Sequence, residues 1–481
     1  MGVNDSKNWI GGEWIVPNAG EIVVRNPSDA KEEVGVLHLS DASHIVQAEQ
    51  AAREAFASWS RLTGAARAEC LYKMAAALEA GLDEVATLAS REMGKPIAEM
   101  RGETTRGVHL LRYYAAEGVR ANGTVIPSSE RDVLQYAKRV PLGVAGVITP
   151  WNFPVAIPIW KIAPALICGN TVVWKPAEIA SLTASRLAEI FAAAGLPPGT
   201  LNLVVGKGSR IGDALLEQAR LDAVSFTGST STGLRIAEAC ARRNIKYQTE
   251  MGGKNAAVVL GNADLDQAVS MIVSGAFRSA GQKCTATSRI IVEKGIYDPF
   301  VEALTRAVSA IRLAPALDPG AYLGPVASAG QFKSVMSYVE MAREQATILA
   351  EGPAQETGND GYYIRPIVAA GVDAGHPLVQ EEIFGPVAAV LPADGFDEAI
   401  ALCNRTAFGL SASLFTRDLA CAHRFLDEAQ AGMVRVNQES AGVEYQSPFG
   451  GMKMSSSHSR EQGQAALDFY SETKTCAIRY A

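Results

Sequence analysis

Three side chains of the sequence have the types needed for chemistry on a carbonyl group. Cys284 ends the segment GQKC, and a thiol beside a lysine in a glycine-containing turn is expected to have the lowered pKa of a nucleophile. Glu250 begins the segment EMGGKN at a strand end, where a carboxylate can act as a general base. Asn152, on the Pro-braced turn TPWNFP, offers an amide suited to an oxyanion hole. Taken singly these assignments stay open, because most cysteines are inert packing residues.

Three strand-to-helix turns are suited to a phosphate or a ribose. The segment 206–212, GKGSRIG, resembles a dinucleotide fingerprint but has one residue too many before its last glycine. In FTGS at 226–229, the glycine permits close approach and Ser229 offers a hydroxyl beside helix N–H groups; an N-cap is the alternative. Lys175 and Glu178 follow another strand, where Glu178 can accept hydrogen bonds from ribose hydroxyls and would repel a 2′-phosphate. A solvated loop is the alternative there.

The elements that must position these residues follow two patterns. The N-terminal third is predicted to be helical, at 41–58, 65–92 and 98–118. From residue 140, short β-branched runs alternate with Ala-rich helical stretches, the pattern of a parallel sheet covered by helices. A second set of strands starts near residue 256. Two α/β units explain both the length of the chain and this restart.

Two further segments fit neither unit. Residues 123–140 are predicted to form a hairpin, and residues 465–481 a short helix followed by a strand. Edge strands of this kind commonly pair with another chain. The alternative, that they only complete a sheet of their own chain, stays open.

Composition narrows the class of protein. The 481 residues carry 44 Lys+Arg against 51 Asp+Glu, so the chain lacks the cationic surface that nucleic acids require. No apolar run reaches the roughly 18 residues of a membrane span. Seven scattered cysteines without a Cys-x-x-Cys pair indicate reduced thiols and no metal site, and the N-terminus lacks a secretory pattern, so we expect a cytoplasmic protein. Gly2 and Ser6 match a loose myristoylation pattern that many unmodified proteins share.

Together the motifs resemble those of the NAD(P)-dependent aldehyde dehydrogenase superfamily over nearly the whole chain. They occur in that family's order and spacing, as TPWNFP at 149–154, FTGS at 226–229, EMGGKN at 250–255, GQKC at 281–284, EEIFGP at 381–386 and SPFGGMK at 447–453. The resemblance implies that Cys284 is the nucleophile, Glu250 the general base, and Asn152 with the Cys284 backbone N–H the oxyanion hole. It also implies a thioester on Cys284 that is hydrolysed to a carboxylate. A catalytically silent relative on the same fold is an alternative, although all three residues are present.

The resemblance further implies a cofactor site that prefers NAD, with NADP less favoured because of Glu178. Lys175 and Glu178 are expected at the adenosine ribose, and Ser229 and Trp151 at the pyrophosphate. The nicotinamide ribose and ring are assigned to Glu382 and Phe384. Lys175 is also a candidate for the catalytic set, and the remaining cofactor-binding candidates are Thr149, Gly208, Gly252 and Gln331.

The fold implied by the resemblance is α/β, with two Rossmann-like three-layer domains and a small β arm for oligomerisation. The predicted NAD-binding domain comprises 1–122 and 141–249, and the catalytic domain comprises 250–446. The arm and C-terminal segment comprise 123–140 and 447–481. A homodimer or homotetramer is expected.

Two arginines suggest an acidic substrate. Helical spacing places Arg106 on an otherwise apolar face, and the resemblance puts this face and Arg278 in the substrate tunnel. Near an aldehyde pocket, the two guanidinium groups favour a substrate whose far end is an anion. Pairing with an internal acid such as Glu103, or exposure to solvent, is the alternative. The other substrate-binding candidates are Phe153, Trp160 and Phe449.

Within the superfamily, the chain most resembles the dehydrogenases of α-ketoglutaric semialdehyde, or 2,5-dioxopentanoate. The resemblance rests on AIPIWKIAPAL at 156–166, GQKCTATSR at 281–289, NQESAGVEY at 437–445 and SSSHSREQG at 455–463. Succinic semialdehyde dehydrogenases commonly carry an arginine where this chain has Trp160, which disfavours that substrate without excluding it. Gln438-Glu439-Ser440 departs from the Pro-Thr expected in the loop, so other anionic aldehydes, sulfonated or aromatic, stay open.

Overall fold

Strands precede the helices in the N-terminal part of the computed structural model, which describes residues 4–354 and 360–480. These elements are β1 (Asn4–Asp5), β2 (Asn8–Ile10), β3 (Glu13–Ile15), β4 (Glu21–Asn26), β5 (Asp29–His38), α1 (Ala42–Trp59), α2 (Gly64–Ala80), α3 (Leu82–Met93) and α4 (Ile97–Glu117). The prediction of an entirely helical N-terminal third was therefore wrong for residues 4–38. The predicted helix 65–92 is two helices that meet at Gly81. Gly2, the candidate for myristoylation, lies outside the described residues.

Local signals explain where the helices begin and end. The Asp41 side chain accepts a hydrogen bond from the Ser43 backbone at 2.9 Å and caps α1. Helix α3 ends at Gly94, whose φ of 81° suits a glycine, and Pro96 then precedes α4. The break between the predicted helices 65–92 and 98–118 is confirmed.

A seven-stranded sheet dominates the first half of the chain. Residues 123–250 contain β6 (Gly123–Ile126), β7 (Val133–Pro141), β8 (Val144–Thr149), α5 (Ala156–Ile167), β9 (Thr171–Pro176), α6 (Ser181–Ala193), β10 (Leu201–Leu203), α7 (Gly208–Asp213), β11 (Ala223–Thr227), α8 (Thr230–Arg242) and β12 (Lys246–Glu250). The sheet order is β12-β11-β8-β9-β10-β2-β3, with the first five strands parallel. Val172 and Val173 of β9 belong to different apolar clusters, so both faces of the sheet are covered.

A second seven-stranded sheet follows. Residues 255–436 contain β13 (Asn255–Val259), α9 (Leu265–Phe277), β14 (Thr287–Glu293), α10 (Tyr297–Ser309), α11 (Ala329–Gln345), β15 (Thr347–Glu351), β16 (Ile367–Ala370), α12 (Pro377–Gln380), β17 (Val387–Ala393), α13 (Phe396–Asn404), β18 (Phe408–Gly409), β19 (Ser411–Phe415), α14 (Leu419–Glu428) and β20 (Met433–Val436). Its order is β15-β16-β17-β14-β13-β19-β20, with β15 antiparallel to its neighbour and the remaining pairs parallel. The segment between β12 and β13 therefore connects the two sheets. The predicted domain boundaries themselves stay predictions.

The C-terminal residues return to the hairpin of the first half. They contain β21 (Met452–Lys453), α15 (Ala465–Phe469) and β22 (Ser471–Arg479). Strand β22 pairs antiparallel with β7 from Ser471↔Pro141 to Arg479↔Val133, and β6 completes a three-stranded arm. The predicted α/β class, with two largely parallel sheets and a small β arm, is confirmed. Within the described residues, no helix is both long and apolar enough to cross a bilayer.

Candidate active site

Cys284 follows an unusual turn that leads into β14. Three consecutive residues of this turn, Ser279, Ala280 and Gly281, have positive φ angles of 56°, 54° and 66°. A residue with a side chain loses about 1–3 kcal/mol in such a conformation. A Cβ on Gly281 would lie 2.2 Å from the carbonyl oxygen of Gly385, so the turn packs directly on the EEIFGP loop. The nucleophile candidate is thus held by a strained and closely packed backbone.

The carbonyl side of Cys284 is fixed by the first strand of the second sheet. Asn255 Nδ2 donates to the carbonyl oxygens of Cys284 at 2.8 Å and Ala286 at 2.9 Å. The same side chain accepts from the Ser411 backbone at 3.0 Å, which ties the loop to β19 as well. The EMGGKN segment therefore both connects the sheets and orients Cys284.

Cys284 opens into a cavity of about 240 Å³ between the two sheets. The cavity contains six of the predicted cofactor-site residues together with Cys284 and Asn152. Its lining residues are Pro150, Trp151, Asn152, Thr227, Gly228, Ser229, Met251, Gly252, Cys284, Gln331, Glu382 and Phe384. Phe449, a predicted substrate residue, belongs to a small apolar cluster that packs against Cys284.

The electrostatic surroundings of Cys284 differ from the prediction. Burial raises the pKa of the Cys284 thiol, and the carboxylates of Glu382 and Glu250 raise it further. The neighbouring Lys283 interacts instead with Glu99 and Glu439, and burial lowers its own pKa. The expectation of a lowered thiol pKa was therefore wrong for the protein without ligands. A lysine adjacent in sequence does not lower the pKa of a thiol when its ammonium group interacts with other residues.

Glu250, the predicted base, ends β12 and is buried. Ser456 Oγ donates to Glu250 Oε2 at 2.5 Å, while Oε1 has no hydrogen-bond partner among the described residues. Burial, and then the charge of Glu461, raise the pKa of Glu250 well above its usual value. A carboxylate with a raised pKa is a stronger base. Glu250 is absent from the described lining of the 240 Å³ cavity.

Glu461 centres a buried polar cluster behind Glu250. It accepts a hydrogen bond from Trp160 Nε1 at 2.7 Å and pairs with the ammonium group of Lys161. Lys161 Nζ also donates to Ser225 Oγ at 2.9 Å. Trp160 is therefore a buried partner of Glu461, and its ring packs on Phe449 at 5.4 Å.

Both the side chain and the backbone of Asn152 are held by hydrogen bonds. Its Nδ2 donates to the carbonyl oxygen of Gln282 at 2.9 Å, next to the Cys284 loop. Its backbone carbonyl accepts from Lys95 Nζ at 2.7 Å, and this ammonium lies 3.7 Å above the centroid of the Phe153 ring. The TPWNFP turn is thus fixed against the nucleophile loop.

A larger cleft of about 510 Å³ lies at the carboxyl ends of β8, β9 and β11. Thr149, Lys175, Glu178, Gly208 and Ser229 all line it, as predicted for a ligand at this edge of a parallel sheet. It shares lining residues, including Trp151, with the smaller cavity, so the two form one path to Cys284.

Three polar side chains of this cleft have defined surroundings. Glu178 Oε1 accepts from the Gly208 backbone at 2.7 Å, and burial lowers the pKa of Lys175. Lys175 is not among the described residues lining the smaller cavity, so it lies in the cleft and away from the thiol. Ser229 precedes α8 without the side-chain N-cap bond, and its hydroxyl donates to Thr232 Oγ1 at 2.9 Å.

The EEIFGP loop closes the cavity opposite Trp151. Glu382 Oε1 accepts from the Gly253 backbone at 3.0 Å, and burial raises the pKa of Glu382 to about 7. A Cβ on Gly252 would lie 2.2 Å from Glu382 Oε2, so a side chain at this position would displace the Glu382 carboxylate. Gln331 Nε2 donates to the Phe384 carbonyl at 2.8 Å, and the Phe384 ring meets Trp151 edge-on at 5.4 Å.

The two predicted substrate arginines have different environments. Arg106 is partly buried and donates to Gln462 Oε1 at 3.1 Å, while its Nε has no partner among the described residues. Glu103, the proposed internal partner, instead binds Lys95 at 2.6 Å. Arg278 is exposed and lies 5.4 Å from the Tyr322 ring centroid. Neither arginine is among the described residues lining the 240 Å³ cavity.

The supporting roles of several residues were not predicted from the sequence. They are Lys95, Glu99, Lys161 and Glu461, together with Glu103, which was considered only as a partner of Arg106. A signal existed for two of them, since Glu99 and Glu103 are one helical turn apart on α4. Lys161 and Glu461 are separated by most of the chain, and no local pattern joins them.

Comparison with known proteins agrees with this geometry. The model of the aldehyde dehydrogenase family matches residues 14–476. The α-ketoglutaric semialdehyde dehydrogenase of Bacillus subtilis is 49% identical over 480 residues, covering 99% of this chain and 98% of that protein. The α-ketoglutarate semialdehyde dehydrogenase of Haloferax volcanii is 39% identical over 480 residues, covering 99% of each.

A solved structure of an aldehyde dehydrogenase also superposes on this chain. The betaine aldehyde dehydrogenase of Staphylococcus aureus in complex with NAD+ superposes with a TM-score of 0.94 at 33% identity, covering 98% of this chain and 94% of that one. The family match spans both sheets, and the thiol and the amide of its motifs, Cys284 and Asn152, line one cavity. The chain is therefore an aldehyde oxidoreductase that belongs to the aldehyde dehydrogenase family.

Proposed function

We propose that this protein oxidises α-ketoglutaric semialdehyde to α-ketoglutarate with NAD+ as the electron acceptor. The observation that carries the proposal is the single path from the cleft of Glu178 to the thiol of Cys284. The two relatives named for this semialdehyde, which cover almost the whole chain, support the choice of substrate.

Cys284 is the proposed nucleophile. Its sulfur adds to the aldehyde carbon and gives a tetrahedral alkoxide, which the amides of Asn152 and the Cys284 backbone stabilise. The thiol must first lose its proton, and Glu250, whose pKa is raised, is the proposed acceptor. This transfer neutralises Glu250 and so removes one of the charges that raise the pKa of Cys284.

Bound NAD+ supplies the two-electron oxidation that converts the adduct on Cys284 into a thioester. Glu250, once it has released the thiol proton to solvent, takes a proton from water, which attacks the thioester carbon and expels the Cys284 sulfur. The products are the carboxylate and the regenerated thiol. Such a role requires a buried base near water, and the unpaired Oε1 of Glu250 among the described residues fits it.

The cleft suits NAD+ on the chemistry of its side chains. Glu178 can accept hydrogen bonds from ribose hydroxyls while Lys175 donates to them, and Ser229 lies at the N-terminus of α8, where phosphate is favoured. The carboxylate of Glu178 disfavours the extra phosphate of NADP. Glu382 and Phe384 are the proposed contacts of the nicotinamide ribose and ring. The NAD+ complex of the Staphylococcus aureus relative supports this assignment.

Arg106 and Arg278 are the proposed determinants of an acidic substrate. A partly buried guanidinium whose Nε lacks a partner among the described residues gains from an anion. Arg278 precedes the nucleophile turn and is open to solvent, so it is available to a carboxylate entering from outside. Phe153, Trp160 and Phe449 supply the apolar walls.

The arm is the proposed site of homo-oligomer formation in the cytoplasm. Strands β6 and β22 are its outer strands, and Val125 and Ile478 on them are 76% and 51% exposed. Exposed apolar residues on open sheet edges favour pairing with a second copy. Light scattering with size-exclusion chromatography should give a dimer or tetramer, and a monomer would contradict the proposal.

The test of the substrate is NADH formation with three aldehydes, α-ketoglutaric semialdehyde, succinic semialdehyde and an uncharged aldehyde of equal length. We expect kcat/KM to be highest for the first. In Arg106→Ala the preference for acids should fall by about 2–5 kcal/mol, the scale for removing one partner of a buried charge pair.

Arg112→Ala is the matched control, because Arg112 is on the same helix and pairs with Glu79 at the surface. It should leave kcat/KM unchanged. A wild-type preference for the uncharged aldehyde would overturn the assignment of an acidic substrate. Activity that survives Cys284→Ala would overturn the mechanism.

A further inference from the structure

We propose that Glu99 is a positioning residue for the nucleophile, acting through Ser279. The inference rests on the proposed role of Cys284 and extends it to a carboxylate on a different element. Glu99 is in the first turn of α4, whereas Cys284 belongs to the loop before β14.

Both oxygens of the Glu99 carboxylate bind one residue of the strained turn. The Ser279 backbone N–H donates to Glu99 Oε1 at 2.9 Å, and Ser279 Oγ donates to Glu99 Oε2 at 2.6 Å. Ser279 is the first of the three residues with positive φ that lead to Cys284. A two-point contact of this kind fixes both the position and the orientation of the backbone.

The strained turn needs such a contact to persist. Residues with side chains leave the left-handed region unless their surroundings hold them there. On its other side, Gln282 Nε2 donates to the Ser279 carbonyl at 3.2 Å, and Gln282 Oε1 accepts from the Ala327 backbone at 3.0 Å. Glu99 therefore secures the N–H side of Ser279 while Gln282 secures the carbonyl side.

Helix α4 also positions the proposed oxyanion amide, through a second carboxylate one turn later. Glu103 Oε1 accepts from the backbones of Val155 at 2.9 Å and Ala156 at 3.1 Å, where α5 begins. Its Oε2 binds Lys95 Nζ, which in turn donates to the Asn152 carbonyl. Glu99 and Glu103 thus set the nucleophile loop and the amide turn relative to one rigid helix.

Loss of the Glu99 contact should act on the chemical step. If Ser279 relaxes, the Cys284 sulfur and backbone N–H move relative to Asn152, and a misplacement of about 1 Å can lower a rate by about a hundredfold. Binding of the aldehyde at Arg106, whose hydrogen bond goes to Gln462, should be little affected. The expected signature is a fall in kcat with a nearly constant KM for the aldehyde.

Two variants of Glu99 separate positioning from charge, because Glu99 also lies near Lys283. Glu99→Gln loses the charge but keeps an acceptor for the Ser279 N–H and a donor for its hydroxyl. Glu99→Asp keeps the charge but is too short to reach. We expect Glu99→Gln to keep kcat within about threefold of wild type, and Glu99→Asp and Glu99→Ala to lose about ten- to a hundredfold.

The rate of Cys284 alkylation by iodoacetamide is a second readout. A purely structural role of Glu99 would not produce the order of rates that we expect for the three variants. The alkylation rate should differ from that of the wild type in Glu99→Asp and Glu99→Ala, and it should return to the wild-type rate in Glu99→Gln. Ser279→Ala, which keeps the backbone bond, should show an intermediate loss of kcat, with no further loss when combined with Glu99→Ala. Asp83→Ala is the matched control, because Asp83 pairs with Arg101 of α4 at the surface.

Three results would overturn the inference. These are wild-type kcat in Glu99→Asp, a Glu99→Gln variant as impaired as Glu99→Asp, or a loss confined to KM. The Gln, Asp and Ser279→Ala variants decide the matter if Glu99→Ala does not fold. An active Cys284→Ser variant would instead refute the proposed function. If Cys284→Ser is inactive but all the Glu99 variants have wild-type kcat, only the positioning role is refuted.

Discussion

Gly253 lies directly beneath the carbonyl group of Cys284, and a Cβ on Gly253 would approach that oxygen to 2.5 Å. The same carbonyl accepts the Asn255 hydrogen bond, so a shift of the loop breaks this contact as well. The two glycines in EMGGKN therefore make two separate close approaches, one to the Glu382 carboxylate and one to the Cys284 backbone.

Gly253→Ala should consequently lower kcat about tenfold or more, because the added methyl group displaces the nucleophile. Steady-state NADH formation measures this loss. Gly102→Ala is the control, since Gly102 is on α4 with nothing within 4 Å of its added Cβ, and it should raise helix stability by up to about 1 kcal/mol. Full activity in Gly253→Ala would show that the loop relaxes without cost.

The raised pKa of Cys284 predicts how alkylation depends on pH. A thiol whose pKa lies above the measured range is mostly protonated, so its thiolate fraction rises about tenfold per pH unit. We expect the rate of iodoacetamide labelling at Cys284 to increase from pH 7 to 9.5 without a plateau. Labelling followed by peptide mass spectrometry, with Cys284→Ser as blank, gives the rate. A plateau below pH 8 would contradict the assigned direction of the pKa.

Glu382, whose pKa burial raises to about 7, predicts a pH dependence of cofactor binding. The carboxylate is ionised above this pH and protonated below it, so its affinity for ribose hydroxyls is lost as the pH falls. The KM for NAD+ should increase from pH 8 to pH 6, by up to about tenfold per unit below the pKa. Glu382→Gln should show a raised KM that no longer varies with pH. An unchanged pH profile in this variant would exclude Glu382 as the source.

Glu178 predicts the preference between the two nicotinamide dinucleotides. Glu178→Gln removes the charge that opposes a 2′-phosphate, so kcat/KM for NADP+ relative to NAD+ should rise about tenfold or more. Asp213→Asn is the control, because Asp213 lines the same cleft but pairs with Arg235. An equal rise in both variants would assign the effect to the net charge of the cleft rather than to Glu178.

The sequence allowed the chemistry to be predicted but not its environment. Cys284, Glu250 and Asn152 each lie in a short contiguous motif, and these motifs follow one another with the spacing of the family. The residues that surround the three in the fold belong to the other motifs of that family. The thiol pKa was predicted wrongly because Lys283 is adjacent in sequence yet interacts with Glu99 and Glu439, while the charges of Glu382 and Glu250 raise the pKa of the thiol. The electrostatic surroundings of a side chain depend on residues that are distant in sequence and are brought together by packing.

The same reason explains which elements were missed. Strands β2 and β3 have three residues each and form only by adding to the edge of the β10 strand, so no alternation marks them. By contrast, β8, β9 and β11 are β-branched runs buried on both faces and were predicted from composition alone. Glu461 could not be assigned, because its partners Trp160 and Lys161 belong to the other half of the chain.

The pairing of β7 with β22 has a consequence for synthesis. A growing polypeptide folds from its N-terminal side, so β7 emerges from the ribosome long before residues 471–479 exist to cover it. During translation of the whole second sheet, the backbone of β7 facing the absent strand is an unpaired edge, able to associate with neighbouring nascent chains on a polysome. We therefore expect the speed of elongation, and any chaperone that shields this edge, to influence the yield of correctly assembled protein.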